Sequence, residues 1–180
     1  MGEFNQMQTI KRHMFALRNG IIADTLRKAG AGYKIIFGLN LPQVQEIAST
    51  LPSDASLAEE LWADCRTRES RLLAPMVYPR EEMDESIAKR WISQTTEIEE
   101  IDNLCHKLLR HLPFAWDIAV DLTEADDDRQ RYCAMRLMWN LVGQRAKEIL
   151  PLARKEAARE CRLTKRVAEG LAEEAEFILG

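Results

Sequence analysis

Apolar residues recur three and four positions apart through almost the whole chain, as in Ile10, Met14, Leu17 and Ile21, or Ile98, Ile101, Leu104 and Leu108. That is the period of one face of an α-helix rather than the alternation of a half-buried strand. A helix with one apolar stripe must cover it with another helix. The turns between these segments are short, so consecutive helices are expected to lie antiparallel in pairs. Ala, Leu, Glu, Arg and Lys dominate the 180 residues, and these lose little side-chain freedom on entering a helix. The reading is all-α.

The pattern also sets boundaries. Residues 6–28 read as helical, broken at Gly20, and Tyr33–Phe37 as a buried connector, because no other segment offers it a partner strand. A helix follows from Pro42 to Leu51, with proline suited to its first turn. Ser56 with Glu59, and Thr96 with Glu99, have the spacing of capping boxes. Pro79 and Pro113 end helices, Phe114–Leu122 is a short helix, and Arg129–Val142 follows an acidic turn. Gln144–Leu179 reads as helical with a kink near Pro151. About ten helices result, and tryptophans at 62, 91, 116 and 139 mark four successive units, with gaps of 29, 25 and 23 residues. The expectation is a single helical-repeat domain over 1–180: N-terminal helices and connector in 1–51, core helix pairs in 52–142 and C-terminal helices in 143–180.

Charge and cysteine usage exclude several functions. The net charge of −4 counts against a uniformly basic nucleic-acid binder, yet the acid is concentrated in residues 51–100, with 12 acidic and 6 basic side chains. The first fifty residues hold 6 basic and 3 acidic, so basic faces are permitted locally. Cys65, Cys105, Cys133 and Cys161 are far apart and form no metal-binding pair. His13, His106 and His111 have no ligand spacing, and Gly30, Gly32 and Gly38 form no phosphate-binding loop. No metal and no cofactor are expected. The first residues lack a signal-peptide core and no apolar run reaches membrane-spanning length, so the expected location is cytoplasmic, without a membrane partner.

Several motifs stand in a familiar order. Phe37-Gly38-Leu39 with Pro42, then Leu57-Ala58, Leu61-Trp62, Arg68-Glu69 and Arg71, then Trp91 with Asp102, then Trp116-Asp117 with Val120-Asp121, resemble the DNA alkylation repair family. These are the HEAT-like DNA glycosylases, and the resemblance runs over about residues 30–142. It implies a HEAT-like helical solenoid that holds double-stranded DNA. Active members excise cationic alkylated purines by cleaving the N-glycosidic bond. By that resemblance Trp116 would face the cationic base, and Asp117 or Asp121 would stabilise the sugar cation as the base leaves. No cofactor is needed, because the leaving base is already positively charged.

The family's tryptophan and aspartate lie four apart, on one helix face. Here Asp121 lies five after Trp116, a rotation of about 140° at 3.6 residues per turn. Arg129, Arg131 and Arg136 resemble the basic helix that follows the active-site run, and Lys155, Arg159, Arg162 and Arg166 form a second basic stripe at helical spacing. These seven are the candidate phosphate contacts. A second function stays open at this level: a non-catalytic adaptor that binds a protein partner, favoured by the net acidity and the displaced aspartate.

Overall fold

The computed structural model describes residues 5–180, and among them ten α-helices carry the fold. They fall into two compact units, one ending at Glu82 and one running from Met83 to Gly180.

The first unit contains α1 (Gln6–Ala16), α2 (Gly20–Lys28), α3 (Leu41–Ser49), α4 (Ala55–Ala63) and α5 (Arg68–Val77). The break between α1 and α2 falls just before Gly20, at Asn19, whose side chain caps α2 by accepting from the Ile21 and Ile22 N–H groups. Asn40 and Gln43 form a reciprocal capping box on α3, with Pro42 in its first turn. The expected box at Ser56 is displaced. Asp54 caps α4, accepting from Leu57 N–H at 2.7 Å, and Ser56 lies inside the helix. An aspartate two residues upstream competes better, because its ionised oxygen makes a charge-assisted bond at the positive helix end.

Residues 33–37 are the buried connector expected, with one addition. Ile35 forms an isolated parallel bridge with Thr67, its N–H donating to the Arg66 carbonyl and its carbonyl accepting from Arg68 N–H. The core here is Leu39, Val44, Ile47, Leu61, Trp62, Leu72 and Leu73. Beside it the motif residues meet. The Glu69 carboxylate is wholly buried and accepts from the backbone N–H groups of Phe37, Gly38 and Leu39 and from Arg68. Arg71 stacks 3.6 Å over the Trp62 ring and donates to the Trp62 carbonyl.

The second unit contains α6 (Glu85–Ser93), α7 (Ile98–Lys107), α8 (Ala115–Leu122), α9 (Asp128–Ala157) and α10 (Lys165–Leu179). Helix α7 begins one residue later than the Thr96 box requires. Glu97 is its N-cap residue, and Glu100 rather than Glu99 reaches back to accept from Thr96 N–H. Helix α9 is two limbs. Arg145 leaves helical geometry (φ −135°, ψ 27°), and the chain reverses there. Arg131 and Glu156 would be about 37 Å apart on a straight helix, yet their side chains lie 3.1 Å from each other. The break beyond Val142 agrees with the sequence reading, whereas the expected kink near Pro151 is absent: Pro151 lies within the second limb. The C-terminal segment is also not one helix. It breaks over 158–164, with Glu160 at φ 56°, before α10 starts.

Contacts within this unit define two layers. Lys89 to Asp121 links α6 to α8, and Lys155 to Glu124 links the second limb of α9 to the end of α8. Asp102 to Arg136 links α7 to the first limb of α9, and Trp139 packs against Gly170 of α10, where a Cβ would come within 3.0 Å of the ring. The helices therefore lie in two rows, α6, α8 and the second limb in one and α7, the first limb and α10 in the other, with α7, α8 and α10 all packed on α9. Trp91, Ile101, Leu104, Leu108, Met135, Met138, Ile149 and Leu171 fill its centre.

Candidate nucleic-acid interface

Helix α8 carries the three residues the motif singles out, and the structure separates them. Trp116 is half-buried, and the Arg145 guanidinium lies 4.7 Å from its ring centre. The reversal at Arg145 is what brings this cation to the aromatic face. Asp121 is exposed and turned toward α6, where Lys89 Nζ lies 3.2 Å from Oδ2. Lys89 also contacts Glu85, and this bond first, then that to Asp121, raises its pKa. Asp117 is exposed in the first turn, at the end of the helix where a negative charge is favoured. Each catalytic candidate thus keeps a separate environment.

The seven candidate phosphate contacts divide as sharply. Arg131 is buried. Its guanidinium donates to Glu156, to Asp128 and to the carbonyls of Ala125 and Asp126. Glu156, itself buried, also accepts from the Thr164 hydroxyl at 2.6 Å and pairs with Arg159. Arg136 Nε lies 2.7 Å from Asp102 Oδ1, a charge contact without an aligned hydrogen bond. Lys155 and Arg159 both pair with Glu124, and Lys155 is the first cause of that carboxyl's lowered pKa. Because the helix breaks between them, Lys155 and Arg159 do not continue as one ridge into Arg162 and Arg166. Arg162 and Arg166 are exposed, with no carboxylate in ion-pair range among the described residues, as is Arg129. Arg129, however, lines a cavity of about 640 Å³ together with Glu97, Asp126, Asp127 and Asp128.

A polar ladder between α7 and the first limb of α9 escaped the sequence reading. Tyr132 donates to Asp102 at 3.0 Å, Arg136 faces the same carboxylate, His106 Nδ1 meets Asn140 Oδ1 at 3.0 Å, and Asn140 donates to the Arg136 carbonyl. Burial raises the pKa of Asp102, against the opposing pull of Arg136 and Tyr132. Tyr132 is raised too, by burial first and then by Asp102. The signal was present as polar residues four apart on both helices, at 102 and 106 and at 132, 136 and 140, but it points to a site only once the two helices are known to be neighbours. Next to this ladder the Cys105 and Cys133 sulfurs lie 3.6 Å apart in the core, and burial pushes the Cys105 thiol up, so both act as apolar filling.

Stacked antiparallel helix pairs, with an aromatic residue beside a helix reversal and basic residues at the margin, define a helical-repeat protein. The model of the DNA alkylation repair enzyme family matches residues 10–178, and the chain belongs to that family. A solved structure described as a new family of proteins related to the HEAT-like repeat DNA glycosylases with affinity for branched DNA structures superposes with a TM-score of 0.80. It covers 95% of this chain and 80% of that one at 20% identity, which bears on the fold and confirms it as HEAT-like. No curated protein matches the sequence. Among the described residues no helix is long and apolar enough to cross a membrane.

Proposed function

We propose that this chain binds DNA, duplex and branched, without cleaving the glycosidic bond. The observation that carries this is the Arg145 guanidinium over the Trp116 ring. A cationic base would have to displace a cation already seated on that face. The carboxylates support the same reading. Asp121 is held by Lys89 on the α6 side, and Asp117 is open to water, where a charge stabilises a sugar cation only weakly. Arg162 and Arg166 are the phosphate contacts in this reading, because their charge is unspent. Arg131, Arg136, Lys155 and Arg159 hold the unit together instead. Action on DNA would set the chain in the cytoplasm.

The test is release of free base from duplex DNA carrying N7- or N3-methylated purines, run beside binding to the same duplex. Salt-sensitive binding with no release is expected. Release that Asp117→Asn or Asp121→Asn abolishes would replace this reading with a glycosylase.

A second reading has one observation in its favour, the acidic cavity lined by Glu97, Asp126, Asp127 and Asp128. It suits a basic protein segment better than a phosphate, and an adaptor that bound no DNA would use it.

A further inference from the structure

The first unit carries a surface that the proposed phosphate contacts do not use and that meets the motif only at Phe37. Phe15, near the end of α1, is 54% exposed, and the Arg18 guanidinium lies 3.9 Å over its ring while donating to the Phe15 carbonyl. Two adjoining grooves share Phe15 and Phe37. One, of about 510 Å³, is lined also by Gln8, Lys11 and Arg12. The other, of about 350 Å³, takes in Arg18, Arg27 and Lys34. Residues 5–40 hold six cations (Lys11, Arg12, Arg18, Arg27, Lys28, Lys34) against one acid, Asp24, a local excess of five positive charges in a chain whose total is −4. Lys11 is paired with Asp64 and Arg27 with Asp24, whereas Arg18, Lys28 and Lys34 have no carboxylate in ion-pair range among the described residues.

We propose that this surface binds unpaired nucleotides of single-stranded DNA, with a base stacked on Phe15 and backbone phosphates on Arg18 and Lys34. An aromatic ring between two basic grooves matches a strand that presents flat bases and anions in alternation. A base on the open side of the ring extends a stack that the Arg18 guanidinium begins. Paired DNA offers no free base face to such a ring, so the surface selects the unpaired strand at a fork or flap. The inference deepens the DNA-binding reading and rests on it.

The experiment compares the full chain's affinity for a blunt duplex, for the same duplex with a single-stranded oligothymidine flap, and for phosphatidylglycerol vesicles. Phe15→Ala, Phe15→Leu and Phe15→Tyr are the variants; the site is exposed, and thermal melting checks that each folds. Tighter binding of the flapped duplex is expected. Phe15→Ala and Phe15→Leu should remove about five-fold or more of that affinity, the scale of one stacked base, while Phe15→Tyr keeps it and blunt-duplex binding is unchanged. Equal affinity for flapped and blunt duplex overturns the proposal, as does an equal loss on both. Vesicle binding that Phe15→Ala abolishes, with flap binding intact, assigns the surface to lipid and also overturns it. Failure to bind the blunt duplex at all sinks the wider DNA reading, which the flap comparison reports separately.

Discussion

The Gly38 N–H donates to Glu69 Oε1 across 2.9 Å, joining two residues 31 positions apart in the sequence. The same carboxylate takes Phe37 N–H and Leu39 N–H, so one buried acid satisfies three successive backbone donors. Gly38 is at φ +80°, and a Cβ there would lie 2.1 Å from the Asn19 carbonyl oxygen. The two residues thus specify one turn. Replacing Glu69 by Ala leaves those three N–H groups buried without this acceptor and takes the carboxylate from Arg68, which still donates to the Leu39 carbonyl, and a loss of about 3–5 kcal/mol is expected in urea unfolding. Gly38→Ala should cost about 2 kcal/mol or more, from backbone strain and collision together. A Glu69→Ala loss under 1 kcal/mol, the range of an exposed pair, would contradict this account.

Arg131 presents the same physics in the second unit. Its partner Glu156 is 2% exposed, and Thr164 shares the same oxygen. Arg131→Ala leaves the buried Glu156 carboxylate with only the Thr164 hydroxyl and the exposed Arg159, and about 3–5 kcal/mol of stability should be lost. Removing both charges together, Arg131→Met with Glu156→Leu, should restore most of it, because shape is kept and the charges that lose a partner, Asp128 and Arg159, are exposed. Denaturant melts of the single and double variants decide. Were Arg131 a phosphate contact instead, the single variant would melt normally and lose DNA affinity.

The helices were legible because their apolar period is long and repeated. The motif order was legible too, but its physical content was not. Nothing in the spacing of Phe37-Gly38 and Arg68-Glu69 says that a carboxylate of one caps the backbone of the other. Two caps differ from the spacing: Asp54 outranks Ser56 as acceptor, and Glu97 stands at the position assigned to Thr96 without a side-chain cap bond. The basic stripe of Lys155, Arg159, Arg162 and Arg166 requires a continuous helix, and the turn at Glu160 divides it. Arg131 looked like a phosphate contact because its acid, Glu156, lies 25 positions away, brought in by a reversal that only the fold reveals.

Asp102 carries a pH dependence of defined sign. Burial lifts its pKa above 3.8, and Arg136 and Tyr132 only partly oppose this. A raised carboxyl pKa means that the folded state holds the proton more tightly than the unfolded chain. Its contribution is therefore complete below about pH 3.8 and is lost as pH rises through the folded value. Relative to Asp102→Asn, the native chain should lose stability over that window and stay level above it. The midpoint of the Asp102 carboxyl carbon in an NMR titration should fall above 3.8. A midpoint below it would mean that Arg136 and Tyr132 outweigh burial.

Salt dependence separates phosphate contacts from structural cations. Each neutralised phosphate of a duplex adds about 0.9 to the slope of log affinity against log salt. Arg162 and Arg166 are exposed with no carboxylate in range among the described residues, so the double change to Ala should lower that slope by roughly 2 and leave the melting temperature nearly unchanged. Lys155 and Arg159 already neutralise Glu124. Changing them to Ala frees an acid as it removes two cations, so the apparent affinity should fall through added repulsion with a smaller change of slope. A slope that responds to Lys155 and Arg159 but not to Arg162 and Arg166 would move the interface to the margin beside Glu124, and the break at 158–164 would then separate the bound strand from α10.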